Sequence, residues 1–166
     1  MLVCFLHDVG RFSQALRGEN SDSFTGIDHG DVGSGLILER FGEEWDKVKL
    51  KTVTEAVEWH NKREYFGDDV YVKLVRDADK IANILHIEEL LEDYMYLDGP
   101  VTPGAWKSFV AGEIILHEDM ITRLDFYLTC LAWESDLNFE TTKKLFVADD
   151  VKGSMLEKVR ERGLAV

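Results

Sequence analysis

The sequence predicts an all-α domain. Apolar residues recur at helical spacing in segment after segment, and short period-2 stretches are missing. Punctuation is also sparse: proline occurs only at Pro100 and Pro103, and the 13 glycines are scattered. The 166 residues fit a single domain over the whole chain. A hydrophobic content of 45%, with 9 Phe, 5 Tyr and 4 Trp, supplies enough apolar surface for a packed core and argues against disorder.

Each element follows from local pattern. Residues 1–9 read as the end of a helix stopped by Gly10. Residues 13–26, rich in Gly, Ser, Asn and Asp, read as a loop. Asp28 or a neighbour caps a helix over 29–41, whose stripe is Val32, Leu36, Ile37 and Phe41 and whose terminator is Gly42. A second amphipathic helix spans 48–65 through Val53, Ala56, Val57 and His60, and Gly67-Asp68-Asp69 breaks the chain. Residues 70–96 form one long helix through Leu74, Ala78, Ile81 and Leu85. Residues 99–104, with both prolines, turn the chain. Further helices are predicted over 105–116, 120–133 and 141–147, and a last short one over 152–162.

Charge narrows the function. Nineteen basic against 32 acidic residues leave a net charge of -13, which repels a nucleic-acid backbone. A small phosphorylated substrate remains compatible with that field if metal ions and a few local cations offset it. Cys4 and Cys130, far apart and outside any CxxC, suit free thiols in a reducing compartment. The apolar run Leu2-Val3-Cys4-Phe5-Leu6 is too short to cross a membrane and follows no basic segment, so the expected location is the cytoplasm. The run is apolar on every side, as in a helix buried all round. It therefore predicts an earlier helix that would cover it, or self-association into a homo-oligomer through the uncovered strip.

Chemistry-bearing residues are few. His7 is followed by Asp8 at a predicted helix end, His29 begins a helix after Asp28, and His60 lies late in a helix between Trp59 and Asn61. Asp77 and Asp79 follow in Arg76-Asp77-Ala78-Asp79-Lys80. Imidazole and carboxylate suit divalent first-row metals, whereas a thiolate site needs cysteines this chain lacks. A lone histidine on an apolar helix is more often a satisfied core residue, but recurrence near helix ends points to a shared centre. Periodicity does not separate Asp77 from Asp79, which lie on opposite edges of the apolar stripe. His86 and His117 read as ordinary helix residues.

The same segments resemble a known family. Leu6-His7-Asp8-Val9-Gly10-Arg11-Phe12 is similar to the motif that names the HD-domain metal-dependent phosphohydrolases. Asp28-His29-Gly30 with Gly33, Trp59-His60-Asn61-Lys62 and Arg76-Asp77-Ala78-Asp79-Lys80-Ile81 resemble the "DHxxxG", "HN(K)" and "RDADKL" segments of one subgroup. Asp136-Leu137-Asn138-Phe139 resembles the "DxNF" stretch near the end of small bacterial members. The likeness runs in order along nearly the whole chain.

The resemblance implies an HD-domain helical bundle with metal at its centre. It implies His7, Asp8 and Asp79 as ligands of a first ion. His29 and His60 are then the added histidines of a binuclear subgroup, with Asp8 bridging two divalent ions drawn from Mn, Fe, Co, Ni, Zn or Mg. Asp77 then stands behind the ligands or pairs with Arg76, a solvated charge being the alternative. The family pattern opens with a histidine on a helix ahead of the His-Asp pair. No histidine stands among the six residues before His7, so the expectation is a chain lacking that helix and a first ion with three protein ligands.

In such a site two ions clamp a phosphoester and lower the pKa of a water between them. Arg11, Lys62 and Lys80 are candidates to hold the phosphate, and Asn61 to hydrogen-bond the substrate. The catalytic role then falls to Asp8 with Arg11 and Lys62, and the partner is a small phosphorylated molecule, without nucleic-acid polymer or membrane. His-Asp-Val-Gly differs from the His-Asp-x-x-Glu-Asp of long-alarmone hydrolases, and no Gly-Tyr-Pro follows His60, against cyclic-dinucleotide hydrolysis. Two other readings use the same residues differently: a di-iron HD-type oxygenase, and a non-catalytic HD module that has lost its first histidine.

Overall fold

A computed structural model describes residues 2–18, 22, 26–93, 96–148 and 151–161. The helices are α1 (Leu2–Leu6), α2 (Val9–Ala15), α3 (His29–Phe41), α4 (Lys47–Trp59), α5 (Val70–Leu85), α6 (Ile87–Asp93), α7 (Pro103–Val110), α8 (Arg123–Ala132), α9 (Glu140–Ala148) and α10 (Val151–Glu161). Among the described residues there is no strand beyond an isolated bridge between Leu97 and Thr122. The protein is all-α. No described helix is long and apolar enough to cross a membrane.

The chain divides into two compact units, Met1–Ala78 and Asp79–Val166. In the first unit, α1 to α4 and the first half of α5 enclose Val3, Ile37, Val53, Ala56, Val57, Val72 and Val75. Asp28 caps α3 by accepting from the backbone of Gly30 (2.8 Å) and Asp31 (3.2 Å), and Asp46 caps α4 in the same way. In the second unit, α8 is the central helix. Leu124, Leu128 and Cys130 on it are inaccessible, and Phe146, Met155 and Val159 pack into the same core. A capping box at Thr122 and Asp125 starts α8, and the Asp125 carboxylate also receives the Thr102 N–H at 2.7 Å, fixing the start of α7.

Several boundaries differ from the sequence expectation. Gly10 does not stop a helix. It lies inside α2, buried, where a Cβ would sit 2.0 Å from the carbonyl oxygen of His29, so it permits close approach of α2 to α3. Residues 13–15 are consequently helical; residues 19–21 and 23–25 of the expected loop lie outside the described residues, as do Met1 and Arg162. α4 ends at Trp59 instead of residue 65. The buried Arg76 guanidinium donates to the carbonyls of Trp59 (2.9 Å) and Lys62 (2.6 Å), satisfying the exposed end of that helix. The expected helix over 70–96 is two, α5 and α6, separated at His86; residues 94–95 lie outside the description. The helix expected over 105–116 begins earlier, at Pro103 behind the Thr102 cap, and ends at Val110 before Gly112 at φ +70°. That expected over 120–133 starts at Arg123, where Thr122 caps it. Of the apolar opening segment, Val3 is buried and Phe5 is 78% exposed.

Candidate metal centre

Helix ends bring the histidines together. His7 follows the last residue of α1, His29 is the first residue of α3, and His60 caps the end of α4. Asp8 is the N-cap residue of α2, where a carboxylate ordinarily binds the backbone N–H groups of the first turn. Here its side chain makes no cap hydrogen bond. Its Oδ1 lies 3.1 Å from His29 Nε2 and 3.6 Å from His60 Nε2, and its Oδ2 lies 3.4 Å from His7 Nε2. The two Nε2 atoms of His29 and His60 are 3.0 Å apart. Adjacent His7 and Asp8 face one point because the chain turns between α1 and α2.

The other ring nitrogen is committed in all three histidines. Nδ1 donates to the Cys4 carbonyl from His7 (2.7 Å), to the Val57 carbonyl from His60 (2.6 Å) and to Asp22 Oδ2 from His29 (2.7 Å). Nε2 is therefore the lone-pair nitrogen of each neutral ring. Two bare lone pairs 3.0 Å apart repel unless a proton or a cation lies between them. Asp8, His29 and His60 form one group able to hold an ion. Ligand bonds of about 2.1 Å imply donor–donor edges of about 3.0–3.4 Å; the 3.0 and 3.1 Å separations fall within that range and the 3.6 Å one lies just beyond it.

The electrostatics agree with this donor set. Burial opposes charge on Asp8, yet the surrounding imidazoles of His29, His60 and His7 hold its carboxyl well below the usual range. Burial likewise opposes charge on His29, but Asp22 and Asp8 on either side raise its pKa above the ordinary histidine value.

The motif segments also bind one another. Asn61 Nδ2 donates to Asp28 Oδ1 at 2.8 Å, and Lys62 Nζ bridges Asp28 (2.8 Å) and Asp31 (2.6 Å). Gly30 leaves room for the Asn61 amide, since a Cβ there would stand 2.5 Å from Asn61 Oδ1. Arg11 pairs with Asp22 (3.3 Å) and lies 3.8 Å from Asp8. Lys80 and Asp79 belong to the second unit. Lys80 Nζ is 2.6 Å from Asp136, which joins α5 to the turn carrying the Asp136–Phe139 stretch, and Asp79 accepts from Asn83 at 3.4 Å. Asp77, in the first unit, is fully buried. His86 is exposed and pairs with Glu89.

Sequence reasoning missed Asp22. It accepts from Gln14 Nε2 (2.6 Å), from the backbone N–H of His29 (3.2 Å) and from His29 Nδ1. It sits in a stretch read as loop, where Asp is an ordinary residue, and no spacing rule links it to His29. The requirement of a metal-bound histidine for an acceptor on its second nitrogen was the available signal, but it does not choose among Asp22, Asp28 and Asp31.

Residues 1–84, just over half the chain, match the HD domain family. The chain belongs to this family, which places it in a superfamily of metal-dependent hydrolases. Comparisons with curated proteins and with solved structures each return no match.

Proposed function

We propose that this protein is a metal-dependent phosphohydrolase that cleaves a small phosphate ester or nucleotide at a binuclear centre. The observation that carries the reading is the division of the Asp8 carboxylate, with Oδ1 toward His29 and His60 and Oδ2 toward His7. A carboxylate so divided suits a bridge between two ions. In this reading His29, His60 and Asp8 hold one ion, and His7 and Asp8 contribute to the other. Bound ions of this kind supply a hydroxide nucleophile near neutral pH and offset charge on the phosphoester.

The protein's own residues do the rest. Asp8, Asp22, Asp28 and Asp31 outnumber Arg11 and Lys62 around the site, so an anionic substrate is repelled until divalent cations bind. The expected order is therefore metal before substrate. Arg11 stands beside Asp8 with about a third of its side chain exposed and is the cation placed to meet a phosphate oxygen. Lys62 and Asn61 hold Asp28, and through it the start of α3 that carries His29. Lys80, engaged by Asp136, is not needed in this reading.

The test is phosphate release from nucleoside monophosphates and generic esters by protein loaded with manganese, cobalt or nickel. The expected result is metal-dependent release that is lost in Asp8→Ala and His60→Ala. Dioxygen uptake with ferrous iron and no phosphate release with any metal would replace the reading by an oxygenase. Failure to bind any divalent ion would leave a non-catalytic module.

A further inference from the structure

Each histidine of the cluster needs an acceptor for Nδ1, and the position of each on its helix decides where one is found. A helix C-terminus exposes carbonyl groups, and a helix N-terminus exposes N–H groups. His7 and His60 stand at C-terminal ends and use the Cys4 and Val57 carbonyls. His29 stands at the first position of α3, where the backbone offers donors only. Its acceptor has to come from another segment, and it comes from Asp22 at 2.7 Å.

The alternative partner favours the wrong tautomer. Asn61 Nδ2, oriented by Asp28, lies 3.3 Å from His29 Nδ1. An amide N–H facing Nδ1 stabilises a lone pair there. The proton then moves to Nε2, where Asp8 Oδ1 waits 3.1 Å away. In that tautomer the nitrogen facing the cluster is no longer a donor atom for a metal. Asp22 is itself held in place by Gln14, which is buried, and by Arg11.

We propose that Asp22 is a positioning residue of this site: its carboxylate fixes the Nδ1–H tautomer of His29 and so presents Nε2 to the metal. The inference rests on the metal-centre reading above. Neither the motif segments nor the family match singles out this residue.

The test uses the full chain and its Asp22→Ala and Asp22→Asn variants. The His29 tautomer is read from imidazole ¹⁵N shifts of metal-free protein at alkaline pH, where the ring is neutral. Cobalt(II) binding is read from the visible absorption of the bound ion. The wild type is expected to show Nδ1–H. Asp22→Ala is expected to show Nε2–H and to bind cobalt about 10–100-fold more weakly. Asp22→Asn keeps an acceptor oxygen and is expected to restore the wild-type tautomer and most of the affinity.

A His29 tautomer unchanged in Asp22→Ala overturns the proposal. So does a changed tautomer with undiminished cobalt affinity. If the wild type itself binds no cobalt, the metal-centre reading falls together with this role. Equal, tight binding by wild type and Asp22→Ala removes the role of Asp22 alone. Should Asp22→Ala fail to fold by near-UV circular dichroism, Asp22→Asn decides. An Nε2–H ring with full cobalt affinity in that variant refutes the assignment.

Discussion

Gly10→Ala is the sharpest single perturbation of this site. A Cβ at residue 10 would lie 2.0 Å from the His29 carbonyl oxygen and 2.9 Å from the Gly33 nitrogen. Both are backbone atoms within helix α3, so no side-chain rotation relieves the clash. To restore a contact of ordinary length, α2 and α3 must part by about 1.5 Å, an overpacking strain of about 3 kcal/mol at the upper end of the usual range. Alanine in a helix returns about 1 kcal/mol relative to glycine, leaving a net loss near 2 kcal/mol. Urea unfolding of the metal-free protein measures it. Gly35→Ala is the internal control, since nothing lies within 4 Å of a Cβ at that exposed position of α3, and it should stabilise by about 0.5–1 kcal/mol. The same separation moves Asp8 away from His29 and His60, and donor edges of 3.0–3.6 Å do not survive it. Cobalt affinity should fall at least about tenfold. A Gly10→Ala protein within 0.5 kcal/mol of wild type and with unchanged cobalt binding would refute the close-approach argument.

Further outcomes are expected. Asp8→Ala should abolish metal binding, measured by elemental analysis, while Asp77→Ala retains metal and instead lowers stability by about 1–3 kcal/mol because a fully buried carboxylate is removed. Arg76→Ala should cost about 3 kcal/mol in chemical denaturation by leaving the Trp59 and Lys62 carbonyls without their donor, and Arg76→Lys should not rescue it because an ammonium cannot reproduce the planar fork. Metal-free protein should lose stability at both ends of the pH range. Asp8, Asp22 and Asp28 have depressed pKa values, so their contribution is full above 3.8 and declines as pH falls below it. His29 has a raised pKa, so its contribution is full below 6.5 and is lost as pH rises through its folded-state value. Unfolding free energies at pH 3, 6 and 8.5 check both arms, and a flat profile from 6 to 8.5 would refute the contribution of His29.

The sequence by itself determined the helical class, the start of α3, and the short list of imidazole and carboxylate residues from which the site is built. These are legible because helical periodicity and capping are local, acting over three or four residues. Gly10 shows where local rules stop: as a helix terminator it obeys the usual preference, yet its function is set by the His29 carbonyl 19 residues away in the chain. Arg76 shows the same, since nothing nearby in the sequence reveals that its guanidinium closes the end of α4 and thereby sets the position of His60. Asp8 was visible as a motif residue, but the sequence did not show that it forgoes capping α2 to face three histidines. The orientation of each imidazole was decided only in three dimensions. A ring presents its nitrogen according to the acceptor on its other side, and for His29 that acceptor is Asp22, brought in by tertiary packing because the N-terminus of a helix has no carbonyl to offer.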